Sequence, residues 1–246
     1  MNVSVYSNAL SSRMLDTLTE SISKIDTPRN YWVGLNDSPR NNIELYTLRS
    51  WRSYHPTIDP STVAGLEWWY HVGKTITGVN PHFDCDEQKK MREHVIRTPL
   101  GCTINYLSDS PEAPTVITNV EPDWYPGDKF YRPTKVVYSP PIAGKTITFN
   151  PRYLHGIKTS DLTNSRVTLM CNVWDYRPDG TFRVNLVEDL TDVSFDIGPP
   201  VPPIEYLGET VPFNFPYFGG SATLPYPAKG TQETVSLTLP EYPCDL

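Results

Sequence analysis

Residues 145–174 read KTITFNPRYLHGIKTSDLTNSRVTLMCNVW and carry the strongest structural signal of the chain. Two runs rich in β-branched and aromatic residues, 146–149 and 167–174, flank the dipeptide His155-Gly156. Short runs of this kind, separated by Gly, Pro, Asn and Asp, are typical of the strands of a barrel or sandwich. The pattern predicts a tight turn at residues 161–164, with Arg166 at the start of the strand that follows.

Similar β-rich runs extend this pattern on both sides. They lie at residues 68–71, 75–79, 102–107, 115–120, 135–138 and 182–187. Residues 68–190 are therefore predicted to form a mainly β core, and the prediction is of a single domain with an appended segment at each end.

The two ends of the chain have a different texture. In residues 1–67, apolar residues at spacings of three and four predict an amphipathic helix over residues 8–25. A second short helix is expected from Asp59-Pro60 towards Glu67, with Asp59 as its cap. Residues 191–246 are rich in proline and aromatic residues, and are predicted to form an irregular arm laid over the core. A disordered tail is the alternative.

Composition excludes several classes of protein. The 246 residues include 25 prolines, about twice the usual share of roughly 5%, which argues against a bundle of long helices. The net charge of −7 disfavours non-specific nucleic-acid binding. No apolar run of about 18 residues and no signal peptide is visible, so no membrane association and a cytoplasmic location are expected. The four widely spaced cysteines predict reduced thiols.

Three residues form a candidate metal site. On an extended strand residues i and i+2 point to the same side, so His82 and Asp84 can present an imidazole and a carboxylate to one point. If His155 comes from a neighbouring strand, the three side chains make the 2-His-1-carboxylate set that suits Fe(II) and leaves three positions open. The adjacent acidic residues Asp86 and Glu87 are not expected to be ligands.

Arg166 is the candidate for binding a second group. It stands eleven residues after His155 at the start of an apolar run. A guanidinium inside a barrel needs a carboxylate partner, because an unpaired buried charge is very costly. A dicarboxylate co-substrate can supply that partner, and Thr168, on the same strand face, can add a hydroxyl.

The order of these motifs along the chain resembles that of a known enzyme family. His82-x-Asp84, a strand ending in Tyr106-Leu107, Gly-x-x-x-x-Phe-Asn before His155-Gly156, and then Arg166 together resemble the Fe(II)/2-oxoglutarate-dependent dioxygenases, most closely their prolyl-hydroxylase-like branch. The similarity covers about half the chain. It implies a double-stranded β-helix (jelly-roll, cupin-like) barrel, with the two histidines and the aspartate as iron ligands and Arg166 on the distal carboxylate of 2-oxoglutarate.

The resemblance also implies further roles. It places Tyr106 on the same carboxylate, with Asn105 and Thr168 as additional candidates, and Trp174 in the wall of the site. A carboxylate at Asp84 favours hydroxylation over halogenation.

The implied activity is O2-dependent hydroxylation of an unactivated C–H bond in a small molecule, an amino acid or a natural-product intermediate, with succinate and CO2 as co-products. The alternatives are hydroxylation of a prolyl or other side chain in a polypeptide, and a non-catalytic cupin-like barrel that binds a metal or ligand. A proline-rich segment, residues 110–114, stands where the family has a Gly-Gly pair. His55 and His71 are interpreted as structural.

Overall fold

A computed structural model describes residues 1–75, 81–121, 133–158, 161–192, 197–217 and 220–239. The fold is mainly β, with two larger sheets, a separate hairpin and short helices. The six-stranded sheet has, in spatial order, β1 (Val3–Tyr6), β7 (Thr146–Phe149), β4 (Gly101–Tyr106), β9 (Asp161–Trp174), β3 (Gly65–Thr75) and β2 (Tyr31–Gly34).

The second sheet has five strands. Their spatial order is β10 (Ile204–Glu205), β13 (Val235–Thr238), β6 (Lys135–Ser139), β5 (Thr115–Thr118) and β8 (His155–Ile157). All pairings in both sheets are antiparallel except that of β10 with β13. Strands from both ends of the chain therefore join the central ones, since β1 and β2 belong to one sheet and β13 to the other.

The C-terminal segment is more regular than predicted. Strands β11 (Thr210–Tyr217) and β12 (Gly220–Pro227) form an antiparallel hairpin, and β13 pairs with β6. Phe215 and Leu224 of the hairpin are buried against a cluster that contains Tyr138 and Leu154. The expectation of an irregular arm is wrong for these residues, because hairpin pairing and apolar burial order them.

Three α-helices lie in the described residues. They are α1 (Ser12–Ser23), α2 (Asn42–Tyr54) and α3 (Glu87–Glu93). The predicted N-terminal helix is confirmed with narrower bounds, and Ser11 caps it by accepting a hydrogen bond from the Met14 amide. The prediction of a second helix is wrong except for a single 3-10 turn at Pro60–Thr62, because the chain is extended in β3 from Gly65 onward. Within the described ranges, every helix is too short or too polar to cross a bilayer.

Strand β3 shows how the sheet separates two environments. Leu66, Trp68 and Tyr70 pack into the cluster that includes α1 and α2. The alternate residues Trp69 and His71 line a cavity between the sheets. The period of two along the strand therefore places an apolar core on one side and the candidate site on the other.

Three strand predictions differ from the structure. The turn expected at residues 161–164 is wrong, because β9 already begins at Asp161, which pairs with Thr75 of β3. Residues 182–187 form no strand, and Phe182 makes only an isolated bridge to Tyr31. The runs at 68–71 and 75–79 belong to one strand up to Thr75, and the rest of the second run lies outside the described residues.

Candidate metal and carboxylate site

The backbone brings the His82 segment against β8. His82 and His155 form an antiparallel bridge, in which the amide of each donates to the carbonyl of the other at 2.8 and 3.0 Å. The Asp84 amide donates to the carbonyl of Pro151 at 3.3 Å. These bonds fix two chain segments that are far apart in sequence, and the three side chains converge as a result.

The three side chains have the geometry of a metal-ligand set. The Nε2 atoms of His82 and His155 each lie 3.6 Å from Oδ1 of Asp84. One potential ligand atom from each residue lies within 4.8 Å of the other two. The second carboxylate oxygen of Asp84 is buried and accepts no hydrogen bond from the described residues. A cation at the centre of this group would give the buried carboxylate a partner.

The tautomer of His155 is set by a backbone contact. Its Nδ1 lies 2.8 Å from the carbonyl oxygen of Tyr153, and a carbonyl can only accept a hydrogen bond. Nδ1 therefore carries a proton, and Nε2 is the ring nitrogen that faces Asp84 and can bind a metal. The ring of Phe149 packs edge-on at a centroid distance of 4.8 Å and holds the imidazole plane.

The electrostatics keep Asp84 ionised. Burial alone raises the pKa of this carboxyl, but the adjacent His155 and His82 outweigh burial and hold the pKa well below its usual value. Burial, reinforced by the Asp84 charge, raises the pKa of the neighbouring Cys102 thiol well above its ordinary value. The site thus offers a carboxylate ligand beside a neutral thiol.

Arg166 lies buried in the same cavity, with no counter-ion among the described side chains. It is 2% exposed, and its guanidinium donates to the hydroxyls of Thr115 at 3.0 Å and Thr168 at 3.4 Å. Its Nε has no partner, and none of the described carboxylates lies within ion-pair distance. Burial lowers the pKa of Arg166 to about 10, so the group stays charged at neutral pH. The guanidinium is positioned to bind an anion.

Tyr106 and Thr115 frame this guanidinium. The Tyr106 hydroxyl lies 2.9 Å from the Thr115 hydroxyl and 3.1 Å from the carbonyl of Ser139. The carbon of the Arg166 guanidinium lies 5.8 Å from the centroid of the Tyr106 ring. Sequence reasoning missed Thr115, whose only signal was its place at the start of a β-rich run.

The other predicted residues lie in different surroundings. Thr168 is fully buried beside Arg166, as strand parity requires. Asn105 is turned away from the cavity: its Oδ1 accepts from Tyr46 at 2.6 Å and its Nδ2 donates to the Leu169 carbonyl at 3.2 Å. Trp174 is fully buried and donates from Nε1 to Glu67 at 2.8 Å. The structure therefore brings Thr168 to the guanidinium and leaves Asn105 outside the site.

One cavity joins the metal-ligand group to the guanidinium. Between them lie apolar and aromatic side chains, among which Trp69 and His71 come from β3. The cavity is lined by Trp69, His71, His82, Asp84, Cys102, Ile104, Thr115, His155, Gly156, Ile157, Arg166 and Met170. A ligand in this cavity can contact a metal at one end and Arg166 at the other.

Comparison with known proteins gives similarity in structure only. No protein-family model and no curated protein matches the sequence. The epimerase SnoN of nogalamycin biosynthesis, a non-heme α-ketoglutarate-dependent enzyme, has a TM-score of 0.45 at 15% identity, over 81% of this chain and 90% of that one. A Pseudomonas putida prolyl-4-hydroxylase has a TM-score of 0.43 at 12% identity, over 70% and 91%.

A third similar structure is HygX from Streptomyces hygroscopicus with nickel and 2-oxoglutarate bound. Its TM-score is 0.42 at 11% identity, over 76% of this chain and 92% of that one. At these levels of similarity, the assignment of a site depends on the chain's own residues.

Proposed function

We propose that this protein is an Fe(II)- and 2-oxoglutarate-dependent dioxygenase, built on a double-stranded β-helix, that hydroxylates an unactivated C–H bond of a small molecule. One observation carries the proposal. The ligand atoms of His82, Asp84 and His155 lie within 4.8 Å of one another, in the cavity that also holds the unpaired Arg166.

The donor set fits Fe(II). Two imidazole nitrogens and one carboxylate oxygen are the ligands that non-heme iron oxygenases use, and three sides of the ion remain open. The buried, unpartnered oxygen of Asp84 and the fixed tautomer of His155 both favour an occupied site. The chemistry supplied by Fe(II) with 2-oxoglutarate is the reductive activation of O2, with succinate and CO2 as co-products.

The opposite end of the cavity fits the distal carboxylate of 2-oxoglutarate. Arg166 offers a planar fork of N–H donors, and a carboxylate is the group that this fork matches. Thr115 and Thr168 hold two of the guanidinium nitrogens, which limits its rotation. The Tyr106 hydroxyl lies within hydrogen-bond distance of the same Thr115 hydroxyl that accepts from Arg166, so Tyr106 helps to hold the guanidinium in place. Because Arg166 is buried, water competes little for this anion.

Substrate approaches on the side of His82. The side chain of His82 is 41% exposed, whereas those of Asp84 and His155 are 4% and 6% exposed. The side chains of Trp69, Ile157 and Met170 give the cavity an apolar wall. Such a wall suits the C–H groups of a small molecule, and the same surroundings protect the site from bulk water.

A cytoplasmic location is part of the proposal. The three cysteines in the described ranges are Cys85, Cys102 and Cys171, and all are free thiols, as expected for a reducing compartment. The fourth, Cys244, lies outside the described residues.

Succinate formation tests the enzyme. Protein freed of metal is incubated with Fe(II), 2-oxoglutarate and O2, omitting each in turn. Succinate should require all three and should be lost in His82→Ala and Asp84→Ala. The control is His94→Asn, because His94 is exposed and has a left-handed φ of 54°, which asparagine tolerates. Equal succinate in the ligand variants and in the wild type would refute the assignment.

The hydroxylation step needs a second readout. A panel of amino acids and natural-product intermediates is screened by mass spectrometry for a gain of one oxygen atom that derives from labelled O2. A protein that binds Fe(II) and 2-oxoglutarate but gives neither product nor succinate would instead be a binding barrel.

A further inference from the structure

A second buried cation, Lys145, lies over the same aromatic ring as Arg166. Lys145 immediately precedes β7 and is 7% exposed. Its Nζ donates to the Thr234 hydroxyl at 3.3 Å and lies 5.3 Å from the centroid of the Tyr106 ring. None of the described carboxylates lies within ion-pair distance of this ammonium.

Both cations contact the same aromatic ring. The guanidinium of Arg166 lies 5.8 Å from the Tyr106 centroid and the ammonium of Lys145 lies 5.3 Å from it. The negative face of an aromatic ring attracts a cation, but it does not neutralise the charge. The interior around Tyr106 thus holds two positive charges and no described carboxylate in contact with either.

Polar contacts extend from each cation to Ser139, one series ending at its carbonyl and the other at its hydroxyl. Arg166 donates to Thr115, and the Tyr106 hydroxyl lies between Thr115 and the Ser139 carbonyl. The Ser139 hydroxyl is 3.0 Å from the Thr234 hydroxyl, which accepts from Lys145.

This arrangement is costly without an anion. The free-energy cost of taking a charge out of water is offset only by a suitable interaction partner. Here the described partners are hydroxyl groups and an aromatic ring. Burial lowers the pKa of Lys145 to about 8, an effect that the carboxylate of Glu233 partly offsets. The ammonium is still mostly protonated at pH 7, so its positive potential is present when a ligand enters.

We propose that Lys145 is a positioning residue of the dicarboxylate site: its buried ammonium adds to the positive potential at Arg166 and fixes Tyr106, so that a ligand with a distal carboxylate binds more tightly. This inference rests on the proposed function, because it takes the bound diacid to be 2-oxoglutarate. Lys145 does not line the cavity, so it acts through Tyr106 and the local potential.

The test compares two ligands that differ by the distal carboxylate. Calorimetry on Mn(II)-loaded protein without O2 gives the Kd of 2-oxoglutarate and of 2-oxobutyrate, which lacks that group. Lys145→Met keeps the length of the side chain and removes the charge. It should weaken 2-oxoglutarate about tenfold, which corresponds to about 1.4 kcal/mol, and change 2-oxobutyrate less than about twofold.

The matched control is Lys158→Met. Lys158 also lies over aromatic rings, at 5.6 Å from Phe213 and 4.8 Å from Tyr226, but these rings belong to the C-terminal hairpin and differ from the Tyr106 ring that Lys145 shares with Arg166. The Lys158→Met substitution should leave the Kd values of 2-oxoglutarate and 2-oxobutyrate unchanged. An unchanged affinity for 2-oxoglutarate in Lys145→Met, or an equal loss for both ligands, would overturn the inference while leaving the proposed function intact. Wild-type protein that binds Mn(II) without preferring the diacid would refute the carboxylate site itself, and this inference with it.

A pH series on the wild type avoids reliance on a variant that folds poorly. Among the described residues, Tyr106 lies against Lys145 and Glu233 acts on its charge, while Arg166 lies over the same Tyr106 ring. Burial raises the pKa of Tyr106, and Arg166 loses its proton only near pH 10, so neither changes charge between pH 7 and 9. The preference for the diacid should be full below about pH 8 and decline above it as Lys145 is deprotonated. A preference that stays constant from pH 7 to 9 would overturn the inference.

Discussion

Replacement of Arg166 by methionine should affect stability and ligand binding in opposite directions. The guanidinium is 2% exposed, its Nε has no partner, and its two hydrogen bonds go to threonine hydroxyls. An unsatisfied buried donor costs about 1–3 kcal/mol, and the desolvated charge adds to this. Replacing buried ionic groups by apolar residues of similar volume is often neutral or stabilises by about 1–4 kcal/mol. We expect the ligand-free variant to be more stable by an amount in that range.

The same substitution should greatly weaken binding of the diacid. Removing one partner of a buried, hydrogen-bonded charge pair costs about 2–5 kcal/mol, which is roughly 30- to several-thousand-fold in Kd. Urea denaturation without ligand measures the first effect. The rise in Tm on adding 2-oxoglutarate to the Mn(II) protein measures the second, and it should vanish in the variant.

Arg183→Met is the matched control, because that arginine has a buried carboxylate partner. Arg183 donates to Glu44 at 2.9 Å and also pairs with Asp37, and the Glu44 side chain is fully buried. Losing the arginine leaves the Glu44 charge unpaired, so this variant should be destabilised by on the order of 3 kcal/mol. If Arg166→Met were destabilised to the same extent without ligand, the guanidinium would have a structural role and our reasoning about its missing anion would be refuted.

Three further predictions concern the surroundings of the site. Asp84→Asn should weaken Mn(II) binding at least about 100-fold in a metal titration, because mutating even a residue that only hydrogen-bonds to a metal ligand lowers metal affinity about 10–100-fold. A change below tenfold would contradict the ligand role. Asn105→Ala should lower the unfolding free energy by about 1–3 kcal/mol, because the buried Leu169 carbonyl and the hydroxyls of Tyr46 and Thr146 each lose their hydrogen bond to Asn105, yet it should leave the Kd of 2-oxoglutarate within about twofold. Burial raises the pKa of Glu67 to about 7; since this carboxyl is more acidic when unfolded, stability should fall by at most about 3 kcal/mol as pH rises from 4.5 through 7. Glu67→Gln should remove that fall, and a parallel pH profile in the two proteins would argue against it.

The parts of the fold that were predictable have a strong local pattern. Residues 146–149 alternate in a short β-rich run and form β7 with those bounds. Strand β2 (Tyr31–Gly34) was missed because four residues give too little periodicity to stand out. Helix α2 was missed because its inward face is largely aromatic and polar, with Tyr46 and Glu44 buried, so it lacks a simple aliphatic stripe.

The C-terminal hairpin shows why proline misleads. Pro212 of β11 lies opposite Pro225 of β12, and each lacks an N–H to donate. In a two-stranded ribbon both strands are edges, so such positions are tolerated when the missing N–H points outward. A high proline content therefore predicted irregularity where the chain forms an isolated ribbon.

In the candidate site, the positions of residues close together in the sequence were predictable from their spacing. The contacts between distant segments were not. His82 and Asp84 are two residues apart and share a face, so their convergence follows from the chain itself. Asn105 and Tyr106 are adjacent and must point to opposite faces of β4, which is why only one of them lies near Arg166. Thr115 comes from the other sheet, and no sequence pattern gives the pairing of two sheets across a cavity.

A crystal structure with Mn(II) and N-oxalylglycine bound, prepared without O2, is the most direct measurement. We expect one ion bound by Nε2 of His82, a carboxylate oxygen of Asp84 and Nε2 of His155, with the distal carboxylate of the analogue paired to Arg166. An ion bound elsewhere, or an analogue whose distal carboxylate does not reach Arg166, would contradict it.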